Sequence, residues 1–349
     1  MTSCLKNKAP RIFGYDLLKA LSMLGIVFYH LHSIRFGEVP VDGSIYYPGI
    51  GKIFYGLLSA GIPIFFMVNG AIVGNRDVTL KKSLKSSLRI ALIAIIGTLF
   101  FKWLVYPYLF HEPRITNPWA LWEYYWFFYT YAAVQILTCV LNRVAILRKI
   151  IVGALIIFPF LSNLVWDIIL VVSPSTALPS WGHTGFLTLY AIVYYYLGRS
   201  LAHFQISNLV SVLFIIVGLL FLNFEVFSMT NAQGIVFDSV SSCFPTLGSL
   251  SISAGFFLLL KDWNPKSSHF SRFFSFIGQR TLGVYLFQAT LNKLIILYVF
   301  RQQYQSPMLV ALFAVFVTFV SAMIWDSLMQ SNRFIYNYAS RYYPPTRPS

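Results

Sequence analysis

The chain has 349 residues, of which 57% are hydrophobic, 18% aromatic and only 11% charged, and its mean hydropathy is +0.68. These values lie far from those of a water-soluble globule and exclude one; the chain reads as an integral membrane protein. A net charge of +15 would suggest nucleic acid or an acidic partner in a soluble protein, but here the charge sorts by loop, and no nucleic-acid partner is expected.

Crossing about 30 Å of hydrocarbon takes roughly 20 predominantly apolar residues. Stretches of that kind fall, in chain order, at 12–33, 53–74, 88–107, 119–141, 150–172, 183–201, 207–224, 239–260, 280–300 and 307–328. Helices are expected, because lipid cannot satisfy backbone polar groups and these segments are too long for barrel strands. The expected fold is all-α and polytopic, with about ten spans. One domain covers 1–349, with a short basic tail at 1–11 and a tail at 329–349. The polar stretches at 34–52, 75–87 and 261–279 read as loops.

The basic residues set the orientation. With the N-terminus in the cytoplasm, the inner segments collect Lys6, Lys8 and Arg11, the run from Arg76 to Arg89, Arg143, Arg148, Lys149, Arg199, Lys261, Lys266, Arg272, Arg280, Arg333, Arg341 and Arg347. The outer loops hold Arg35, Lys52, Arg114 and Arg301. This is a positive-inside pattern with both termini cytoplasmic, in agreement with an even number of spans. Cys4, Cys139 and Cys243 are odd in number and spacing and suggest neither a disulfide framework nor a metal site. No metal is expected. The first apolar run has no small-residue cleavage site after His32 and is read as a retained span.

That first span, "YDLLKALSMLGIVFYHLHS" at 15–33, keeps Asp16, Lys19 and His30 inside an apolar run, with His32 directed nearly opposite to His30. Ten residues separate Lys19 from His30, so their directions differ by about 20° and they share a face, about 16 Å apart along the axis. Lys19 then lies near the inner boundary and His30 toward the outer half. Asp16, one turn before Lys19, can pair with it. One reading has Lys19 reaching the interface and His30 bonded to a neighbouring helix. The other is functional, because ionisable groups within spans are expensive and usually face a cavity or a substrate path. A histidine there can deprotonate a hydroxyl or carry an acyl group.

Further along, Lys102, Asp167 and Asp326 sit near span ends and are expected to reach the interface. The cluster Trp119, Trp122, Tyr124, Tyr125 and Trp126 reads either as an interfacial belt or as a sugar-stacking surface. "GQRT" at 278–281 is either a helix-start turn or an inner-mouth phosphate contact. Lys293, midway along the ninth span beside Asn292, either lines an outer acceptor path or pairs with a carboxylate.

"DLLKALSMLGIVFYH" resembles the first helix of the membrane acyltransferase-3 family: an Asp, then a basic residue, ten positions, and a His. In the same order "GIPIFFMVNGAIV" at 61–73, "YYWFFYTYAAVQIL" at 124–137, "YYYLGRSLA" at 194–202 and "IGQRTLGVYLFQATL" at 277–291 are similar to family signatures. The chain departs from the family at Asn69, where relatives usually have Ser before the Gly, at Tyr124 or Tyr125, where many have a His, and at Gln288, where many have a His.

The resemblance implies a multi-pass enzyme of the inner (cytoplasmic) membrane. It would move an acyl group, commonly acetyl from cytoplasmic acetyl-CoA, to a sugar hydroxyl of a surface polysaccharide or lipid-linked glycan. His30 would be general base or acyl carrier, with Lys19 as its basic partner and Asp16 orienting Lys19. Lys19, Arg76 and Arg280 are expected to hold the donor's phosphates, and Trp126, Gln288 and Lys293 to line the substrate path. A transporter or flippase is the rival reading, in which the buried charges form a relay. The lack of mirrored halves stands against it.

Overall fold

A backbone threaded through apolar surroundings must bond to itself, and this chain does so by coiling. The computed structural model describes residues 12–36, 57–58, 60–74, 78–111, 125–155, 160, 164–165, 168–169, 172, 187–233, 246–265, 268–300 and 307–331, and among them all regular structure is helical. In chain order the helices are α1 (Phe13–Phe36), α2 (Gly61–Val73), α3 (Leu80–Phe110), α4 (Trp126–Leu141), α5 (Ala145–Leu155), α6 (Leu187–Leu201), α7 (Asn208–Gln233), α8 (Leu247–Leu260), α9 (Ser268–Gln279), α10 (Thr281–Phe300) and α11 (Pro307–Ser331). Three stretches, Leu80–Phe110, Thr281–Phe300 and Met308–Gln330, are long and apolar enough to cross a membrane, and shorter apolar helices stand beside them.

Every span read from hydropathy has a helix within it or overlapping it, and the boundaries move for local reasons. The third helix starts at Leu80 rather than 88, because its basic opening turns are helical although too polar for hydrocarbon; Thr79 caps it, its side chain accepting from the Lys82 amide. The stretch at 261–279, read as a loop, contains α9 instead. The sequence "SHFSRFFSFIGQ" is too short and polar to span, yet its phenylalanines fall at helical spacing and form an apolar stripe. Phe270 meets Phe13 and Trp263, while Phe273 and Phe276 lie against Phe319 of α11. About half of the segment expected to span 150–172 lies outside the described residues.

α1 is the central element, touching α2, α8, α9, α10 and α11. Enclosure by five helices explains how a helix can bury Asp16 and Lys19. The outer helices turn apolar surface away from the bundle: along α3, Leu84, Leu88, Leu92, Ile96, Phe100 and Trp103 are exposed, a stripe recurring about every fourth residue that suits lipid contact.

Between lipid-adapted helices, close approach and polar contacts give the cohesion. Gly70 of α2 lies against the backbone of Tyr195, and Gly198 of α6 against that of Met67, so a Cβ at either position would collide with the opposite main chain. Ser87 Oγ donates to the Ala132 carbonyl at 2.8 Å and Ser83 Oγ to that of Gln135 at 2.6 Å, tying α3 to α4. Asn69, standing where family members usually have Ser, donates to the Phe65 carbonyl at 2.7 Å and accepts from the Tyr131 hydroxyl at 3.0 Å, which joins α2 to α4.

Candidate active site

The N-terminal end of α1 is fixed by two backbone contacts. Gly14 abuts the Leu260 and Lys261 carbonyls, and Gly278 abuts the Asp16 carbonyl, so the "GQRT" glycine is where the end of α9 rests on α1. Between these contacts Asp16 and Lys19 are 3% and 5% exposed, with Lys19 Nζ 3.6 Å from Asp16 Oδ1. The i, i+3 spacing sets them on one face, and Asp16 in the first turn also complements the positive end of the helix.

Eleven positions on, His30 is partly buried, and its Nδ1 lies 3.0 Å from Gln288 Oε1 on α10. Gln288 is 3% exposed and Asn292, one turn later, is fully enclosed. Asn292 Nδ2 donates to Gln288 Oε1 at 3.0 Å and to the Val27 carbonyl of α1 at 3.3 Å. The loop of contacts from α1 to α10 and back is closed. Tyr29 flanks the imidazole, with ring centroids 5.4 Å apart.

Arg280 immediately precedes the first turn of α10, where its Nε donates to Asp326 Oδ1 of α11 at 2.8 Å, Nη1 donates to the Phe276 carbonyl at 3.1 Å, and the guanidinium covers the Phe276 ring. Asp326 is the acidic partner of Arg280. Arg76 and Asp167 lie outside the described residues.

Lys293 places its ammonium 5.1 Å from the Tyr106 centroid and 4.8 Å from that of Phe110, and Lys102 sits 4.5 Å from the same Tyr106 ring. Tyr106 is buried, and Thr290 of α10 donates toward its hydroxyl at 3.4 Å. Both helices change to a wider coil here, over Leu99–Val105 in α3 and Ile295–Phe300 in α10; such π-segments are frequent near functional sites. Trp126 opens α4, partly buried and edge-on to Phe127. Of Tyr124 and Tyr125, one of which stands where many family members have a His, Tyr124 lies outside the described residues, whereas Tyr125 is buried and donates to the Leu286 carbonyl at 2.8 Å, supporting α10 two residues before Gln288.

The sequence thus singled out Asp16, Lys19, His30 and Gln288, and the structure assembles them as two pairs along α1. Asn292 had been noted only as a neighbour of Lys293. Its signal was present in the spacing, since it lies four residues after Gln288 on the same face of α10.

Among the described residues the chain is a helical bundle with helices apolar enough to cross a membrane, and its central helix carries the buried Asp16–Lys19 pair and His30. The family model described as an acyltransferase domain matches residues 12–326, and the chain belongs to this acyltransferase-3 family. The match runs from the start of α1 to Asp326 and includes the whole ionisable stripe. Comparison with curated proteins and with solved structures gives no match.

Proposed function

We propose that this membrane acyltransferase moves an acetyl group from cytoplasmic acetyl-CoA to a sugar hydroxyl of a surface polysaccharide or lipid-linked glycan. On this reading the chain crosses the inner membrane about ten times with both termini in the cytoplasm, as the positive-inside pattern favours. The observation that carries the reading is the orientation of the α1 stripe: His30 is bonded to Gln288 and the Asp16–Lys19 pair is enclosed by protein, so none of the three is spent on lipid.

The separation of about 16 Å between Lys19 and His30 is comparable to an extended pantetheine arm. The donor's phosphates therefore stay at the inner end while the thioester reaches His30. Lys19 and Arg280 each have a carboxylate partner, yet CoA carries several negative charges, and a polyanion competes well with one carboxylate for a cation. Arg76, in the basic inner segment of the sequence before α3, is assigned to the same phosphates.

As general base, His30 accepts the sugar hydroxyl proton while the hydroxyl oxygen forms the ester bond and the C–S bond of the thioester breaks. The proton then passes to the departing thiolate, giving free CoA and the O-acetyl sugar. As acyl carrier, the same nitrogen first attacks the thioester carbonyl and the C–S bond breaks to release the CoA thiolate; the hydroxyl oxygen then takes the acetyl group as the C–N bond breaks, and its proton passes to the thiolate. Lys293 and Trp126 stand on the acceptor's path, where a cation and an indole suit a glycan.

The test uses membranes containing the protein, acetyl-CoA labelled in the acetyl group, and cell-surface glycan analysed by NMR. Label in an O-acetyl signal that depends on the protein and disappears with His30→Ala is the expected result. Movement of unmodified glycan across the membrane, with no label incorporated, would instead establish a transporter.

A further inference from the structure

The hydrogen bonds around His30 determine which of its nitrogens carries the proton, and they do so from a backbone atom outward. The Val27 carbonyl has only lone pairs to offer, so the Asn292 atom 3.3 Å from it must be the amide nitrogen. Reversing that amide would turn Asn292 Oδ1 toward a carbonyl oxygen in a fully enclosed site, where repulsion and lost hydrogen bonding are both costly. The same Nδ2 faces Gln288 at 3.0 Å, which makes the facing Gln288 atom the acceptor oxygen. That oxygen lies 3.0 Å from His30 Nδ1, and an oxygen without a proton requires a donor opposite it.

The geometry points to Asn292 as a positioning residue that, through Gln288, fixes neutral His30 as the Nδ1–H form and leaves Nε2 as the nitrogen that accepts a proton or an acyl group. Asn292 Oδ1, which has no hydrogen-bond partner among the described residues, fits this role: both contacts described for the side chain use its NH₂ group. Gln288, at a position where many relatives have a His, then orients the imidazole without titrating. Its Oε1 receives two N–H groups and has no proton to exchange. The role resembles that of a carboxylate or carbonyl holding an imidazole tautomer, but it is built from two neutral amides and therefore buries no charge.

This assignment deepens the proposed transfer reaction and rests on that reading for its catalytic consequence, while the tautomer itself is measured without turnover. Solid-state ¹⁵N NMR of histidine-labelled protein, with the His30 signals identified by their loss in His30→Ala, is expected to show Nδ1 protonated and Nε2 bare on the neutral ring. Asn292→Leu frees the Gln288 amide to turn either way. It should mix the tautomers and lower kcat by about 10–100-fold, with the KM for acetyl-CoA unchanged. Gln288→Glu retains an acceptor facing both N–H groups and should keep the Nδ1–H form and more activity than Gln288→Leu, a contrast that a purely packing role would not produce. A neutral His30 bearing its proton on Nε2, or a folded Asn292→Leu protein with tautomer and kcat unchanged, overturns the assignment. Retained turnover in His30→Ala would overturn the catalytic reading alone.

Discussion

His30 and Gln288 are 258 residues apart in the chain and 3.0 Å apart in space. Their contact joins the central helix to α10, the helix whose own start is tied to α11 through Arg280 and Asp326. The imidazole is therefore tied to a neighbouring helix.

Replacing His30 by Ala removes the imidazole and its contact with Gln288, while Asn292 still ties α10 to the Val27 carbonyl of α1. Acetyl transfer should fall by about 10²–10⁴-fold or more, the usual contribution of a positioned acid–base group. Expression and monodispersity in detergent should remain close to those of the unaltered protein. The measurement is label incorporation per mole of protein.

Lys19→Met alone leaves Asp16 buried without its cation, and loss of one partner of a buried pair costs about 3–5 kcal/mol. The protein should therefore insert poorly or melt early in detergent. Adding Asp16→Asn removes the stranded charge and should recover the folded fraction. The recovered double variant should still show a raised KM for acetyl-CoA, and restored binding would remove Lys19 from the donor site.

Arg280 and Asp326 offer a double-mutant cycle at a partly buried contact, their side chains being 19% and 27% exposed. Each single change to Ala should destabilise the protein by about 1–3 kcal/mol, consistent with a hydrogen bond to a charged group. The double change should cost less than the sum of the two, because the pair is lost only once. Thermal unfolding followed by fluorescence in a fixed detergent reads the cycle.

Gly70→Val or Gly198→Val would force α2 and α6 apart, since each glycine lies against the opposite backbone rather than a movable side chain. A loss of about 1–3 kcal/mol, typical of overpacking, is expected for each. Gly153→Val, which meets nothing within 4 Å, serves as the control and should leave the melting temperature nearly unchanged.

Much of the helical framework was legible because hydropathy is a property of short stretches: each apolar run marked a helix wherever its residues are described. α9 escaped because its evidence is periodic rather than cumulative. Phe270, Phe273, Phe274 and Ile277 form a stripe that averages away when hydropathy is summed over a span-length window. The ionisable stripe was legible for the opposite reason, since helix geometry alone places Lys19 and His30 on one face.

Sequence by itself determined that the chain is a helical membrane protein, that its first helix carries a cation and an imidazole on one side, and that its motifs follow the acyltransferase-3 order. These are local properties of composition and helical pitch. Only the tertiary structure decided that Asp326 answers Arg280, that Lys102 and Lys293 converge on Tyr106, and that Asn292 and Gln288 return to α1 at Val27 and His30. A hydrogen bond depends on atoms being within about 3 Å with the donor aimed at the acceptor, and packing, not spacing along the chain, brings helices to that distance.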